Sequence, residues 1–496
     1  MFALGYDIGS SSVKASLIEI ESGKTAASAF SPHEEMPIHA PRQGWAEQHP
    51  EEWWRQLRNA TAMILQASRV QAEDIASIGI SYQMHGLVCL DAAGEVVRPA
   101  IIWCDSRAVE IGRKAFSELG EEECLGRSLN SPGNFTASKL AWVRQNEPHL
   151  YEKIDTFMLP GDYIAYRLTG EACTTIGGLS EGMLWDFKEN RPAQYLLDHY
   201  GISTDLLPRI CPTFGEQGRL TPQAANEIGL RSGTPVCYRA GDQPNNAFSL
   251  HVLNAGEIAS TAGTSGVVYG VSDTIRSDRK GRIGTFAHVN HSPSDPHLGL
   301  LLCINGTGCL NAFMKKTVAP DGMSYPEMNL LAMQSPIGSA GLSILPFGNG
   351  SERMLCDQDL GCSIHGLRFN LHRREHLLRA AQEGIAFSFR QGIDLMRSMG
   401  MPIRRIHAGA ANMYLSPIFC EAVANLTGAD IVLYDTDGSI GAARGGACGA
   451  SLYQNTEEAF ATLQKKHVIH PDPNKQEAYA EAYDRWTEVL THTLKF

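Results

Sequence analysis

Residues 5–14 read Gly5-Tyr6-Asp7-Ile8-Gly9-Ser10-Ser11-Ser12-Val13-Lys14, a hydroxyl-rich turn between two apolar runs. A second turn of nearly the same build follows about half a chain later, Thr261-Ala262-Gly263-Thr264-Ser265-Gly266. Glycine lets the backbone approach an anion closely, and neighbouring N–H and hydroxyl groups donate hydrogen bonds to it. The pair predicts one polyphosphate held from both sides, with these hydroxyl donors: Ser10, Ser11, Thr264 and Ser265.

Apolar runs and helical spacings alternate along both halves of the chain. In the first half they predict a helix from Pro50, a short apolar stretch at Ile101–Trp103, and strands at Phe2–Tyr6, Val13–Glu19 and Ile75–Ile80. In the second half they predict a hairpin over Gly256–Val271, a helix over Leu377–Met399, a strand over Ile403–His407, and a helix from Ser416-Pro417 to near Gly428. Polar residues follow the strand ends. This alternation predicts an α/β architecture with ligands at the carboxyl edge of the sheet.

Length and charge limit the kinds of protein to consider. A chain of 496 residues exceeds the ~250 to 300 residues that one hydrophobic core normally supports, so two domains are expected. We place the junction between Gly241 and Gly256, which gives domains of residues 1–248 and 249–496. The net charge of −12 argues against nucleic acid or an anionic membrane as the main partner. The start carries no basic leader and no run of about 18 apolar residues occurs, so we expect a cytoplasmic location.

Sulfur and indole side chains are expected mainly in the interior. Twelve cysteines stand singly, without a Cys-x-x-Cys pair or the Cys/His spacing of a zinc site. The pattern predicts reduced, mostly buried thiols and no structural metal. Four indoles are expected to pack rather than to stack on a sugar: Trp45, Trp53, Trp54 and Trp103.

A lone carboxylate, Asp242, follows the strand-like run Thr234–Tyr238 and precedes the second turn. A sugar or polyol hydroxyl is a poor nucleophile, and a carboxylate within hydrogen-bond reach can accept its proton during phosphoryl transfer. The competing interpretation is a turn residue, because Gly241-Asp242-Gln243 runs into Pro244 and two asparagines. Its position between the two phosphate-type turns favours the catalytic role.

Asp7 stands at the end of the first predicted strand, beside the first turn. Phosphoryl transfer needs charge neutralisation, and Mg²⁺ is bound by one or two carboxylates together with the substrate phosphates. Asp7 is therefore the candidate metal ligand. The alternative is that its side chain orders the turn through nearby backbone groups. No Gly-x-x-x-x-Gly-Lys-Ser/Thr motif supplies a P-loop in this role.

Polar residues after two other apolar runs are candidates for sugar binding. Gln83-Met84-His85-Gly86 follows Ile75–Ile80, and it combines an amide, a soft apolar side chain, an imidazole and a glycine. A lone histidine after a strand is more often an ordinary hydrogen-bonded residue. Asp105 and Arg107 follow the Ile101–Trp103 stretch, either as an ion pair or as substrate contacts.

These residues resemble the FGGY carbohydrate kinases along nearly the whole chain. The motifs that carry the resemblance include Gly5–Lys14, Gly44–Pro50, Gln83–Gly86, Lys139–Trp142, Leu159–Tyr163, Arg167–Glu171, Gly241-Asp242, Gly263–Gly266 and Glu383–Ala386. Each motif is short, and the set is specific. Within the family the set is most similar to the kinases that phosphorylate xylulose.

The resemblance implies two ribonuclease-H-like domains of the actin and hexokinase type, which close around Mg-ATP and a sugar in an interdomain cleft. It identifies Asp242 with the catalytic base and Met84-His85 with the substrate loop. The further substrate contacts are then Gln83, Gly86, Asp105 and Gln243. An adenosine-binding turn and the remaining nucleotide contacts are implied at Gly409, Ala410, Asn412, Ser12, Lys14 and Gly263.

The reaction implied is ATP-dependent phosphorylation of the terminal hydroxyl of D-xylulose. Three positions depart from the usual pattern: Ala408-Gly409-Ala410-Ala411 replaces Gly-Gly-Gly-Ala, Gln243 replaces asparagine, and Tyr82 replaces glycine. The alternatives are another acceptor such as ribulose, gluconate or glycerol, a non-catalytic actin-like ATPase, or a sugar sensor. The resemblance also implies a homodimer.

Overall fold

The computed structural model describes residues 1–494. Its N-terminal half is built on a mixed sheet with the strands β1 Phe2–Ile8, β2 Val13–Glu19, β3 Thr25–Ser31, β4 Ile75–Tyr82, β5 Phe214–Arg219 and β6 Pro235–Gly241. The strand order is β5-β6-β4-β1-β2-β3. β1, β2 and β3 pair antiparallel, whereas β4 runs parallel to β1 and β6 parallel to β4. The carboxyl ends of β1, β4 and β6 therefore meet at one edge of the sheet.

The C-terminal half repeats this plan. Its strands are β7 Glu257–Ala262, β8 Gly266–Ser272, β9 Gly284–Ala287, β10 Leu298–Ile304, β11 Arg405–Gly409, β12 Asp430–Tyr434 and β13 Lys465–Ile469. The order is β9-β10-β8-β7-β11-β12-β13. β7, β8 and β10 pair antiparallel, and β11 and β12 continue parallel to β7. The repeated order agrees with two ribonuclease-H-like domains and confirms the predicted α/β class.

Helices cover and connect the two sheets. Within residues 1–494 the helices α1 to α17 are, in chain order, Pro50–Ser68, Val109–Leu119, Glu121–Arg127, Thr136–Asn146, Pro148–Tyr151, Pro160–Thr169, Ile176–Glu181, Gln194–Tyr200, Pro222–Ile228, Asp242–Ser249, Gly308–Thr317, Tyr325–Ala332, Arg374–Ser398, Pro417–Thr427, Gly438–Gly449, Thr456–Phe460 and Pro473–Leu494. Short two-stranded ladders join Glu47–Gln48 to Ala100–Ile101, Val88–Leu90 to Thr156–Met158, Cys173–Thr174 to Arg209–Ile210, Trp185–Asp186 to Arg191–Pro192, and Ser343–Leu345 to Ser363–His365. None of these helices is both long and apolar enough to span a bilayer within the described residues.

Two helices each follow a strand of one sheet but pack on the other sheet. α10 follows β6 of the N-terminal sheet, yet its Ala247 packs with Ala259 and Val432 of the C-terminal sheet. α15 follows β12 of the C-terminal sheet and lies on the N-terminal one. A Cβ at Gly79 would come within 1.9 Å of the Ala442 carbonyl oxygen, so this helix and this sheet approach backbone to backbone. Glycine in the strand permits that distance, and no other residue type does.

Most predicted elements are confirmed, with shifted ends. The first hairpin, the helix from Pro50, the second hairpin and the helix capped by Ser416 all form. The long helix begins at Arg374, three residues before the predicted Leu377. In the apolar stretch Ile101–Trp103, Ile101 ends the short strand Ala100–Ile101, and the polar residues follow it.

Two expectations about burial are only partly right. Trp53 and Trp54 are buried, but Trp103 is 54% exposed, so the prediction that it packs in the core is wrong. All twelve cysteines are free thiols, and six are buried. The remaining thiols are half-buried or exposed, so "mostly buried" overstates their burial.

Candidate active site

Asp7 lies at the end of β1, and both neighbouring strand ends and α15 surround it. Its Oδ1 accepts a hydrogen bond from Ser81 Oγ at 2.8 Å. A Cβ at Gly438 would lie 2.4 Å from Asp7 Oδ2, so the first residue of α15 packs on the carboxylate. Burial, and then the charge of Asp437, raise the pKa of Asp7. Among residues 1–494 no bond ties its carboxylate to the first turn, which leaves the metal-ligand prediction standing.

Asp437 joins this cluster and was missed from the sequence. It forms an ion pair with Lys14 of β2, and its Oδ1 caps α15 by accepting from Ser439 N at 2.9 Å and Ile440 N at 3.1 Å. Burial opposes its ionisation, but Lys14 and the capping groups outweigh burial and lower its pKa. The available signal was an aspartate before glycine and serine after a strand, which resembles the build of the first turn.

Asp242 is the first residue of α10, directly after β6 ends at Gly241. It is thus a helix-start residue, and the turn interpretation does not describe it. Burial and the nearby charge of Asp7 raise its pKa to about 7. The charge of Asp242 also acts on the thiol of Cys303 in β10, whose side chain is exposed. Cys303 pairs with Val267 of β8, so the carboxylate faces the sheet that carries the second turn.

The segment Gln83–Gly86 leaves the end of β4 beside Asp242. Both amide atoms of Gln83 are buried without a hydrogen-bond partner in residues 1–494. Met84 packs on the backbone before Asp242, since a Cβ at Gly241 would lie 2.6 Å from Met84 Cγ. His85 has a φ of 62°, a left-handed turn that few non-glycine residues adopt. The segment therefore presents its side chains from a sharply bent backbone.

His85 is held on several sides. Its ring contacts Phe135 at 4.8 Å and Phe286 of β9 at 5.5 Å between centroids. Lys139 Nζ donates to the His85 carbonyl oxygen at 2.7 Å. Burial lowers the pKa of Lys139 to about 7, and burial together with Lys139 lowers that of His85 to about 3.

The buried carboxyl of Glu181 lies against the same loop and was also missed from the sequence. Its Oε2 accepts from the His85 N–H at 3.1 Å. The Lys139–Trp142 motif was a signal for Lys139, but nothing local distinguished Glu181 from a surface glutamate.

Of two further predicted substrate contacts, Asp105 lies in a buried ion-pair network and Gln243 lies beside Asp242. Asp105 is fully buried, and its oxygens accept from the Arg107 guanidinium at 2.7 to 3.0 Å and from Ala46 N at 2.6 Å. Arg107 also pairs with Glu47, so Asp105 belongs to a buried ion-pair network. Gln243 is half-buried next to Asp242 on the first turn of α10. The exposed Trp103 donates from Nε1 to Ser10 Oγ at 3.2 Å, at the first turn.

A cavity of about 650 Å³ opens in the C-terminal half beside the second turn. It is lined by Ala262, Gly263, Thr264, Gly308, Cys309, Asn311, Ala312, Tyr325, Pro326, Asn329, Leu330, Met333, Asn412, Met413, Leu415, Ser416 and Pro417. The apolar lining with a few polar groups suits a flat heterocycle joined to a charged tail. Of the predicted nucleotide residues, Gly263, Thr264 and Asn412 line this cavity. Ser265 is adjacent in sequence to Thr264, Gly409 ends β11, and Ala410 follows that strand. Ser10, Ser11 and Ser12 lie at the N-terminal turn, and Lys14 follows on β2.

Comparison with known families places this architecture. The model of the FGGY family of carbohydrate kinases, N-terminal domain, matches residues 2–249, and the model of its C-terminal domain matches residues 258–450. The chain belongs to the FGGY family of carbohydrate kinases. This FGGY kinase is therefore an enzyme that transfers a phosphoryl group to a carbohydrate.

Individual relatives are similar over almost their full length. The FGGY kinase is 29% identical to a xylulose kinase of Bacillus subtilis over 99% of this chain and 97% of that protein. The crystal structure of a xylulose kinase from Rhodospirillum rubrum superposes with a TM-score of 0.88 at 26% identity, covering 99% of both chains. A gluconate kinase structure from Lactobacillus acidophilus gives a TM-score of 0.90 at 21% identity, covering 99% of this chain and 98% of that one. At that identity the likeness concerns the fold alone.

Proposed function

We propose that this kinase transfers the terminal phosphoryl group of ATP to the terminal hydroxyl of D-xylulose, giving D-xylulose 5-phosphate. The observation that carries the proposal is the half-buried Asp242 carboxylate at the start of α10. Met84 of the substrate loop packs on Gly241, the residue that precedes Asp242. The charge of Asp7 is close enough to raise the pKa of Asp242. The similarity to xylulose kinases of two organisms supports the choice of sugar.

In the proposed reaction Asp242 accepts the proton of the attacking hydroxyl while the phosphoryl group moves to its oxygen. A base with a pKa near the working pH combines the ionised form with enough basicity, and burial puts Asp242 at about 7. The Gln83–Gly86 segment orients the sugar, since the unpartnered Gln83 amide offers one donor group and one acceptor. We assign the phosphates to Ser10–Ser12, Lys14 and Gly263–Ser265, and the adenosine to the cavity near Asn412, Gly409 and Ala410.

Asp7 is proposed to bind Mg²⁺ with the nucleotide. Its carboxylate is a hard oxygen donor. The charges of Asp242 and Asp437 interact with it, so the local negative charge suits a cation. Among residues 1–494 no group of three such ligands is arranged around one point, which fits an ion held mainly by phosphate oxygens and water. When bound, Mg²⁺ supplies charge neutralisation on the phosphates.

Further properties are proposed on the same likeness. They are domains of residues 1–248 and 249–496, a cytoplasmic location, and a homodimer. Gluconate is the rival acceptor among the alternatives that the family resemblance leaves open.

The decisive variant for the catalytic base is Asp242→Asn. This change keeps the size of the side chain and removes the proton acceptor. We therefore expect kcat to fall by about 10²-fold to 10⁴-fold while sugar binding persists. Steady-state phosphorylation and calorimetric titration with D-xylulose measure the two effects. Asp484→Asn, an exposed change on α17, is the control and should leave both unchanged. Unaltered turnover in Asp242→Asn would rule out its role as base.

The choice of sugar is tested with a panel of ketoses, alditols and aldonates at equal concentration. The highest kcat/KM is expected for D-xylulose. Turnover confined to gluconate would replace this proposal by its rival.

A further inference from the structure

One residue outside the predicted site, Glu181, contacts two polar groups of His85, its backbone N–H and its Nδ1. Glu181 ends α7 and is 2% exposed. Its Oε2 accepts from the His85 backbone N–H at 3.1 Å, and its carbonyl oxygen lies 2.9 Å from His85 Nδ1. The side chain thus fixes the left-handed bend of the loop, and the main chain fixes the ring.

The second contact decides where the imidazole hydrogen resides. A carbonyl oxygen can only accept, so Nδ1 is the nitrogen that carries the hydrogen. Burial keeps the ring neutral by lowering its pKa to about 3, and a neutral imidazole has one N–H only. Nε2 therefore presents a lone pair, and Phe135 and Phe286 pack on the ring and hinder its rotation. The side chain keeps 20% of its surface accessible, so a ligand can reach the ring.

We propose that Glu181 is a positioning residue that fixes His85 as a hydrogen-bond acceptor, so that the sugar group facing His85 is a hydroxyl and not the ketose carbonyl. This inference rests on the proposed function and deepens it. A carbonyl oxygen opposite Nε2 would bring two acceptors together without a hydrogen between them. The sugar is thereby oriented by one hydrogen bond in which its hydroxyl donates and His85 Nε2 accepts.

The same carboxyl also lies behind the catalytic residue. A Cβ at Gly241 would lie 3.4 Å from Glu181 Oε2, so Glu181 packs on the residue that precedes Asp242. Its Oε1 is buried without a partner in residues 1–494. Burial and the charge of Asp242 raise the pKa of Glu181 well above its usual value, which favours the protonated form. Glutamine then reproduces both the accepting oxygen and a donor at Oε1.

A direct test reads the tautomer in the full-length enzyme. Long-range ¹H–¹⁵N spectra of protein labelled with ¹⁵N-histidine distinguish Nδ1–H from Nε2–H, and the signals missing in His85→Gln assign His85. The proposal expects the Nδ1–H form near pH 7. An Nε2–H form would overturn it. This readout needs no turnover, so it remains valid even if D-xylulose is not the acceptor.

A kinetic test uses D-xylulose and analogues with one hydroxyl at a time replaced by fluorine, which cannot donate. One analogue should lose kcat/KM by at least about tenfold in the wild type, and that difference should vanish in His85→Ala, which has no acceptor. Equal losses with and without His85 would overturn the proposal.

The role of Glu181 is read from three variants. Glu181→Gln should keep KM for the sugar within about threefold, whereas Glu181→Leu should raise it by at least about tenfold with KM for ATP unchanged. Glu152→Gln, an exposed change, is the control. If Glu181→Gln raised KM as much as Glu181→Leu, the acceptor role of the carboxyl would be wrong. If Glu181→Leu does not fold, the nearly isosteric Glu181→Gln is compared with the wild type alone, and a rise of about tenfold in its KM for the sugar would overturn the proposal.

Discussion

At the scale of single residues, the polar groups around Asp7 and Asp242 meet because β1, β4 and β6 end at the same edge of the sheet. Most of these groups could be predicted from the sequence, since each follows a strand end. Strand ends are recognisable from apolar runs and glycines, and parallel strands bring their ends together. Glu181 and Asp437 escaped because their roles depend on partners far away in the chain: His85 for one and Lys14 for the other. No local pattern distinguishes such a carboxylate from an exposed one.

Thr264 offers a test of the nucleotide turn at this scale. Its side chain is exposed beside the cavity of the C-terminal half. Thr264→Val keeps the shape and removes the hydroxyl, and one hydrogen bond to a charged group contributes about 1.5 to 3 kcal/mol. We expect KM for ATP to rise by about tenfold or more while KM for the sugar is unchanged.

The control for this measurement is Thr317→Val. Thr317 is exposed at the end of α11, and its hydroxyl donates within the helix. If the two valine variants had the same KM for ATP, the Thr264 hydroxyl would have no part in phosphate binding.

At the scale of elements, helix and strand types were predictable, but contacts between the halves were not. The pattern of glycines and alanines over Gly438–Gly449 is visible in the sequence, yet nothing in it says that this helix lies on β1 and β4 of the other half. That placement depends on the crossing of the chain between two sheets, which periodicity does not encode. The apolar run Ile101–Trp103 likewise did not indicate that Trp103 would lie beside the first turn, where its Nε1 donates to Ser10.

Gly79→Ala tests this helix contact. The added methyl group would lie 1.9 Å from the Ala442 carbonyl oxygen and 2.9 Å from Gly446 N, so the backbones must separate. Overpacking of this kind costs about 1 to 3 kcal/mol or more, and the denaturant midpoint should fall accordingly. Gly126→Ala on α3 is the matched control, because its Cβ meets no atom within 4 Å. A midpoint for Gly79→Ala equal to that of the control would contradict the close approach.

At the scale of the whole molecule, buried histidines tie folding to pH. His288 is 1% exposed. Its Nε2–H donates to the Val252 carbonyl oxygen, and its Nδ1 accepts from Tyr269 Oη, both at 3.0 Å. Burial lowers its pKa from 6.5 to about 3. Between these values the unfolded chain binds a proton that the folded chain does not, so the free energy of unfolding decreases as the pH falls from 6.5 towards 3.

His288→Gln removes that titration and can keep the hydrogen bonds. In urea unfolding at a series of pH values, the dependence of the free energy of unfolding on pH below 6.5 should be smaller for the variant. The difference in slope is at most one proton, about 1.4 kcal/mol per pH unit. Parallel curves for the variant and the wild type would show that His288 is protonated in the folded state or does not contribute.

The exchange of α10 and α15 between the sheets has a consequence for dissecting the gene. A fragment ending at residue 248 would lack the helix that covers Gly5 and Gly79, and the complementary fragment would lack part of the apolar cover of its own sheet. Neither piece should therefore be stable alone. Co-expressed from separate reading frames, the two fragments should assemble, because each supplies a helix that covers the other's sheet.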